Sequence, residues 1–453
     1  MLASTFSARD PSSGVRLVRE FPRPVPWRAA GLVFVLALAA CRPPSGAAPT
    51  APPTAPPTAP PTEPLPEDSP PPPPPTVGTS ALSLIPSTSV PELSRALTGS
   101  RASLLESLNR SLLWFDKPSS RDLYPVAGVT HEWAQASVYA FARLVSGDES
   151  AQVVAGRIHQ EFELHASVGS DGRGSVLFTG YYSPSFQGSL TASSEYGYPL
   201  YRRPDDLVID ERSGEVLGRK VGEGDGFEPY PTRARLLASR ALEGLELVWL
   251  RDGFEAYTIQ IQGSALIRLP DGTSINVGYD GTNGRPYTSI SLELVADGKL
   301  REDELSLPEV KDYFRRNPEA LEVYARRNDR FVFFRVDSGE NWPAGSLGLK
   351  VTPLRSLATD KTFFPPGAVV LVETAAPAEG GGTRRLFQFM LDQDTGGAIK
   401  SPGHADIYYG IGPLAEVLAG AQYAKGRLYY LLLRPERIDA WRRVMSSERA
   451  GSR

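Results

Sequence analysis

Gln393-Asp394-Thr395-Gly396-Gly397-Ala398-Ile399-Lys400, followed by His404-Ala405-Asp406-Ile407-Tyr408-Tyr409-Gly410, is the stretch on which the reading of this chain turns. Asp394 closes an apolar run and Asp406 opens another, which places both carboxylates at strand ends beside a glycine-rich turn. A third aspartate, Asp360, ends Ser356-Leu357-Ala358-Thr359-Asp360. An isolated aspartate has a pKa of about 3.9 and is ionised at neutral pH. To serve as a general acid it needs burial or a neighbouring carboxylate, which two aspartates on one turn would supply. Asp-Thr-Gly is also an ordinary turn former, so spacing alone leaves the chemical and the structural readings both open.

Outward from this stretch the chain alternates between helical and β patterns. Leu93 to Phe115 and Glu132 to His165 carry apolar residues at helical spacing, with Val138, Phe141, Ala142 and Leu144 on one face. From Ser175 onward short β-type runs follow, bounded by glycine and proline: Val176 to Tyr182, Leu245 to Leu250, Ala256 to Gln262 and Ala265 to Leu269. The last two, split by Gly263-Ser264, read as a hairpin, and Pro270-Asp271-Gly272 as the next turn. Two helices are predicted between Ser306 and Asn328, marked by Pro308 and Pro318, with Asn317 as a cap. Strands return at Phe331 to Phe334, Val369 to Glu373, Arg385 to Leu391 and Arg427 to Leu433. The expected class is mainly β, barrels with helical additions.

The three aspartates in their setting, Asp360 with Pro365-Pro366-Gly367, then Asp394 to Lys400, then Asp406-Ile407-Tyr408, resemble the double-psi β-barrel domain of the membrane-bound lytic murein transglycosylase A family. Upstream, Gly180-Tyr181-Tyr182-Ser183-Pro184, Tyr198-Pro199-Leu200-Tyr201-Arg202 and Tyr230-Pro231-Thr232-Arg233-Ala234 are similar to the insert domain of that family. So are Ile259 to Ser264 and Val277-Gly278-Tyr279-Asp280-Gly281-Thr282-Asn283-Gly284-Arg285-Pro286-Tyr287. The resemblance covers roughly residues 95 to 440 in order. It implies a double-psi β-barrel domain carrying an inserted second β-barrel domain, with a glycan strand lying between them. Residues 85–182 would form the helical part and first barrel strand, 183–330 the insert and 331–445 the barrel. Ser401-Pro402-Gly403 departs from the usual glycine-led loop, and Asp280 stands where a small residue is common.

The activity implied is non-hydrolytic cleavage of the β-1,4 bond between N-acetylmuramic acid and N-acetylglucosamine in peptidoglycan. Ordinary glycosidases use two carboxyl groups. Here one suffices, because the C6 hydroxyl of the muramyl sugar closes a 1,6-anhydro ring. Asp406 takes the place of the single acid/base, with Asp394 and Asp360 supporting it. Tyr181, Gln262, Ser264, Asn283 and Tyr287 lie in the matching motifs and are candidate sugar contacts, since tyrosines and amides suit sugar faces and hydroxyl edges; Lys400 either holds substrate carbonyls or pairs with an aspartate. No cofactor and no metal are expected. Two other classes fit parts of the pattern. One is a homodimeric aspartic protease built on the single Asp394-Thr395-Gly396 turn. The other is a non-catalytic, expansin-like wall-binding protein.

The N-terminal region reads as an export signal. Arg16, Arg19, Arg23 and Arg28 precede an apolar run from Ala29 to Ala40, too short to span a bilayer. It ends Leu38-Ala39-Ala40-Cys41, which looks like a bacterial lipobox with Cys41 as the lipidated residue. Arg42 in place of Asp favours the outer membrane by that resemblance, with the protein anchored on its periplasmic side. Residues 43 to 76 hold 17 prolines in Ala-Pro-Pro-Thr repeats, a polyproline II spacer on the order of 100 Å long at about 3.1 Å per residue. A formal charge of -4 without a basic run argues against nucleic acid as a partner. One cysteine excludes intrachain disulfides, and the histidines at 131, 159, 165 and 404 show no metal-ligand spacing, although 159 and 165 share a predicted helix. Peptidoglycan glycan strands, the outer membrane and wall-synthesis proteins are the partners expected of a monomer of this kind.

Overall fold

Serine and threonine caps divide the helical region that opens the folded body. The hydroxyls of Ser100, Thr130 and Ser150 accept from Ser103 N, Trp133 N and Val153 N, starting helices α1 (Arg101–Phe115), α2 (His131–Ser146) and α3 (Ala151–Glu161). The computed structural model describes residues 81–210, 216–221, 226–301 and 307–451. The export signal, Cys41 and the proline-rich spacer lie outside the described residues. Among those described, no helix is long and apolar enough to cross a membrane.

The helical pattern expected to run to His165 stops at Glu161. Strand β1 is Leu82–Leu84, and β2 (Phe162–Ser167) pairs with it, burying Phe162 and Leu164 on one side and setting Glu163 and His165 on the other. His159 and His165 therefore lie on different elements; His165 Nε2 lies 2.9 Å from Glu163 Oε1. Strand β3 (Val176–Ser183) then leads the chain out of this unit.

The excursion contains β4 (Ser185–Ser189), β5 (Tyr198–Tyr201), a small sheet of β6 (Leu207–Ile209), β7 (Val216–Lys220) and β8 (Phe227–Glu228), helix α4 (Arg233–Ala238) and β9 (Glu246–Leu250). Helix α5 (Gly253–Gln262), β10 (Ser264–Arg268), β11 (Ser274–Thr282), α6 (Ile290–Ala296), α7 (Leu307–Arg316), α8 (Pro318–Ala325) and β12 (Val332–Asp337) complete it. Its six-stranded sheet has the order β12-β11-β10-β4-β9-β5, and the edge strands β5 and β12 lie against each other, so the sheet curls around Leu200, Val248, Ile267, Val277 and Phe334. The Pro270-Asp271-Gly272 turn joins β10 to β11 as expected. The predicted strand over Ala256 to Gln262 is instead α5. Asp252 caps it by accepting from Phe254 N at 2.8 Å and Glu255 N at 3.1 Å, and Gly263, at φ 78°, ends it in the left-handed conformation.

Back in the first unit come β13 (Ser356–Ala358), β14 (Val369–Pro377), β15 (Thr383–Asp394), β16 (His404–Ile411), α9 (Pro413–Ala421), β17 (Tyr423–Leu433) and α10 (Ile438–Gly451). The order β17-β14-β15-β13-β16-β3, with β3 pairing back onto β17, closes a six-stranded barrel. Val176, Phe178, Leu357, Val370, Met390, Ala405, Ile407 and Tyr430 fill its interior. A second core lies outside it, where α1 to α3 cover one part of the wall through Phe141, Phe389, Leu391 and Leu431. The fold is thus mainly β with helical additions, a barrel carrying an inserted β-domain between β3 and β13.

Candidate active site

Strand alternation decides which barrel residues can meet a ligand. On β3 and β16, Val176, Phe178, Ala405 and Ile407 point into the barrel, so Leu177, Thr179, Tyr181, His404 and Asp406 point outward. Pairing aligns Asp394 of β15 with Ala358 of β13, Ala358 with Asp406 of β16, and Asp406 with Thr179 of β3. Asp394 and Asp406 therefore come not from one turn, as the sequence suggested, but from two strands flanking β13. Two strand spacings, about 10 Å, separate their backbones.

Asp406 sits at the centre of this row with its side chain 23% exposed. Its Oδ1 is buried and has no hydrogen-bond partner, and His404 Nε2 lies 3.7 Å away. That same nitrogen shares a hydrogen bond with Thr179 Oγ1 at 2.7 Å. Burial pushes the carboxyl up to about 6, His404 opposes the rise, and the charge of Asp394 adds to it.

Asp394 is held more tightly. Its Oδ1 accepts from Ser346 N and Thr395 N, both at 2.8 Å. Burial raises its pKa, while these hydrogen bonds and the Lys361 charge pull the other way. Gly345 is required here, since a Cβ would fall 2.6 Å from the Gln393 carbonyl and 3.1 Å from the Asp394 carboxyl carbon. The Tyr181 hydroxyl, buried beside Asp394, meets no partner in hydrogen-bond geometry; its ring packs on Tyr408 at 5.0 Å between centroids. Burial, and then the Asp394 charge, hold this phenol well above its ordinary range.

Asp360 has a local task. Its Oδ1 accepts from Thr362 N at 3.0 Å and Thr362 Oγ1 at 2.7 Å, fixing the turn that leads to Pro365. A fourth aspartate, passed over in the sequence reading, is the most buried of all. Asp392, fully enclosed, pairs with Lys361 and accepts from Thr359 Oγ1 and Tyr430 OH, each at 2.7 Å. A signal was present in the sequence: a charged residue directly after the apolar run Phe389-Met390-Leu391, within the strand pattern that reaches Asp394.

The insert supplies the facing wall. Gln262, the last residue of α5, accepts from Tyr182 N at 3.1 Å through Oε1. Ser264 is buried and bonded to Ser183 Oγ at 2.8 Å, which in turn meets Tyr408 OH at 3.1 Å. These contacts fasten the insert to β3 and β16; Ser264 is a fastener rather than an open sugar contact. Tyr287, half-buried, is close enough for the Asp406 charge to raise its phenol, after burial and against the Ser289 hydrogen bond. Asn283 is buried within the insert. Its amide donates to Pro231 O and Asp329 O, and its Oδ1 accepts from Arg285 N and Phe331 N, so every polar atom is consumed in pinning loops of the insert. Lys400 is exposed and pairs with no aspartate among the described residues. Also among the described residues, no group of three or more His, Cys, Asp or Glu side chains is placed to hold a metal ion.

Fold and site together define a mainly β protein, a barrel with an inserted β-sheet, whose half-buried Asp406 lies on the outer barrel face to which the insert is fastened. The MltA specific insert domain matches residues 177–335, and the 3D domain matches residues 355–432. The chain is 31% identical over 274 residues to membrane-bound lytic murein transglycosylase A of Escherichia coli K12, covering 59% of this chain and 68% of the relative. The chain belongs to the membrane-bound lytic murein transglycosylase A family. Its fold is similar to that of the membrane-bound lytic murein transglycosylase of Agrobacterium tumefaciens, with a TM-score of 0.65 at 22% identity over 80% of this chain and 99% of that one. It is likewise similar to E. coli MltA with bound chitohexaose, with a TM-score of 0.60 at 24% identity over 79% and 96% of the two chains.

Proposed function

We propose that this chain is a lytic transglycosylase that cleaves the β-1,4 bond between N-acetylmuramic acid and N-acetylglucosamine in peptidoglycan, with Asp406 as its only acid and base. The barrel wall and the insert form the two sides of its glycan groove; the insert runs on through β12 to Asp337 rather than ending at 330, because β12 pairs with β11, and the barrel resumes at β13. The observation that carries this reading is Asp406 itself: outward-facing, mostly buried, with an unpartnered Oδ1 and a pKa raised to about 6. Such a carboxyl keeps a proton close to neutral pH and can pass it to the glycosidic oxygen. The aspartate so formed takes the proton of the C6 hydroxyl as that oxygen attacks C1, and the acid is regenerated as the 1,6-anhydro ring closes. Asp394, fixed by two backbone amides, supplies the neighbouring negative charge. Digestion of purified sacculi tests the assignment by mass analysis of the products. The expected products are 1,6-anhydromuropeptides, absent with Asp406→Asn; reducing ends, peptide cuts or an active Asn variant would overturn it.

The relatives are named membrane-bound, and a lipid on Cys41 followed by the proline-rich spacer supplies such an attachment, on the periplasmic side of the outer membrane. Labelled palmitate incorporated by the parent and lost in Cys41→Ser is the expected result.

A further inference from the structure

The row of aligned residues that contains both site aspartates extends one strand further. Thr179 of β3 pairs with Tyr423, the first residue of β17. Leu428 and Tyr430 point into the barrel, so by alternation Tyr423 lies on the outer face with Thr179, His404 and Asp406. Its ring is 78% exposed, and among the described residues it makes no hydrogen bond or ring contact. Its backbone, by contrast, is fixed. The preceding residue, Gln422, is buried, donates to Phe178 O and Ala375 O at 3.1 Å each, and accepts from Tyr409 OH at 2.6 Å. The fold thus presents a large aromatic side chain from a fixed backbone position, where nothing in the protein packs on it.

The direction of the cleft gives that position meaning. The insert leaves the barrel after Ser183, and its wall is fastened at Tyr182, Ser183 and Tyr408, beyond the level of Thr179 and Asp406. The aligned row at the foot of this wall therefore runs across the strands, from Asp394 past the buried Ala358, then Asp406 and Thr179, to the exposed Tyr423. Two strand spacings put Tyr423 about 10 Å from Asp406 along that floor. A flat ring offers its face to the apolar C–H face of a pyranose while its hydroxyl stays in water.

We propose that Tyr423 is a saccharide platform, stacking under a sugar ring of the bound glycan strand displaced from the scissile bond. This rests on the glycan-cleaving reading above. The test measures binding of chitohexaose and of chitobiose by calorimetry, and turnover of sacculi, for the parent, Tyr423→Ala and Tyr423→Trp. Tyr423→Ala is expected to weaken chitohexaose about tenfold, the scale of a truncated aromatic contact, and chitobiose less than twofold. Its loss on sacculi should fall on KM rather than kcat, and Tyr423→Trp should restore both. Because the side chain packs on nothing, the thermal midpoint of the Ala variant should match the parent. A Tyr423→Ala variant that binds chitohexaose as tightly as the parent overturns the platform. If sacculi yield no anhydro products with the parent itself, the glycan-cleaving reading falls instead.

Discussion

Replacing Asp406 by asparagine should make the folded protein more stable at alkaline pH and leave it unchanged at acid pH. Burial holds this carboxyl at about 6, with His404 acting against the rise and Asp394 with it. The ordinary aspartate value is about 3.9, and the difference is worth about 3 kcal/mol. The sign follows from which form the folded state prefers. Folding favours the protonated acid, so the group costs nothing below pH 4, where both states are protonated. Stability is lost progressively as pH rises from about 4 to about 6, and the full penalty of about 3 kcal/mol applies above pH 7. Asparagine keeps the shape and carries no charge at any pH. The side chain is 23% exposed, so water relieves little of the penalty. Urea unfolding of parent and variant at pH 4 and pH 8 measures it as the difference between two gains. Near zero at pH 4 and about 3 kcal/mol at pH 8 is the expected pair. Equal gains at both values, or a variant weaker at pH 8, would mean that Asp406 is not held as a neutral acid by its surroundings.

Release of anhydromuropeptides should fall about tenfold per pH unit above about 6, as the acid form is lost. Asp394→Asn removes a negative neighbour, lowers the Asp406 pKa and should move that limb of the pH profile to more acid values. Lys361→Met strands the fully buried Asp392 carboxylate and should cost about 3–5 kcal/mol in denaturant unfolding, whereas adding Asp392→Leu to it should recover most of the loss. Asn283→Ala leaves two carbonyls and two amides of the insert without their partner and should cost about 1–3 kcal/mol, with KM on sacculi held at the parent value.

What the sequence disclosed and what it hid divide along the range of the forces involved. Asp394 and Asp406 were legible because each borders an apolar run, and a strand end is a local property. Their neighbourhood was not, because it depends on β13, three residues long, slipping between β15 and β16. The helix over Ala256 to Gln262 was misread because Tyr257, Ile259 and Ile261 alternate as in a strand. The deciding signals were Asp252 with Glu255, an N-terminal cap pattern, and Gly263 as the stop. On the helix Ala256 to Gln260 are all buried and Ile261 is exposed, so burial there does not follow the alternation that the apolar residues suggest. Asn283 had the residue type of a sugar contact and the location of a loop clamp; only the positions of Pro231, Asp329 and Phe331, distant in sequence, separate the two.

The insertion explains why a single aspartate can carry acid chemistry here. On the barrel alone, the outward faces of β3 and β16 would stand in water, and Asp406 would titrate as an ordinary carboxyl. The insert, with Tyr287 near enough to feel the Asp406 charge and Gln262 and Ser264 fastening it at β3, leaves and rejoins the barrel through the two ends of one excursion, after Ser183 and before Ser356. The acidity of the site is therefore a property of barrel and insert together. A cleft that opened would rehydrate Asp406 and return it toward about 3.9, leaving it ionised and unable to donate. A glycan strand that fills the groove excludes the same water and strengthens the acid as it binds, so occupancy of the cleft and readiness of the proton rise together.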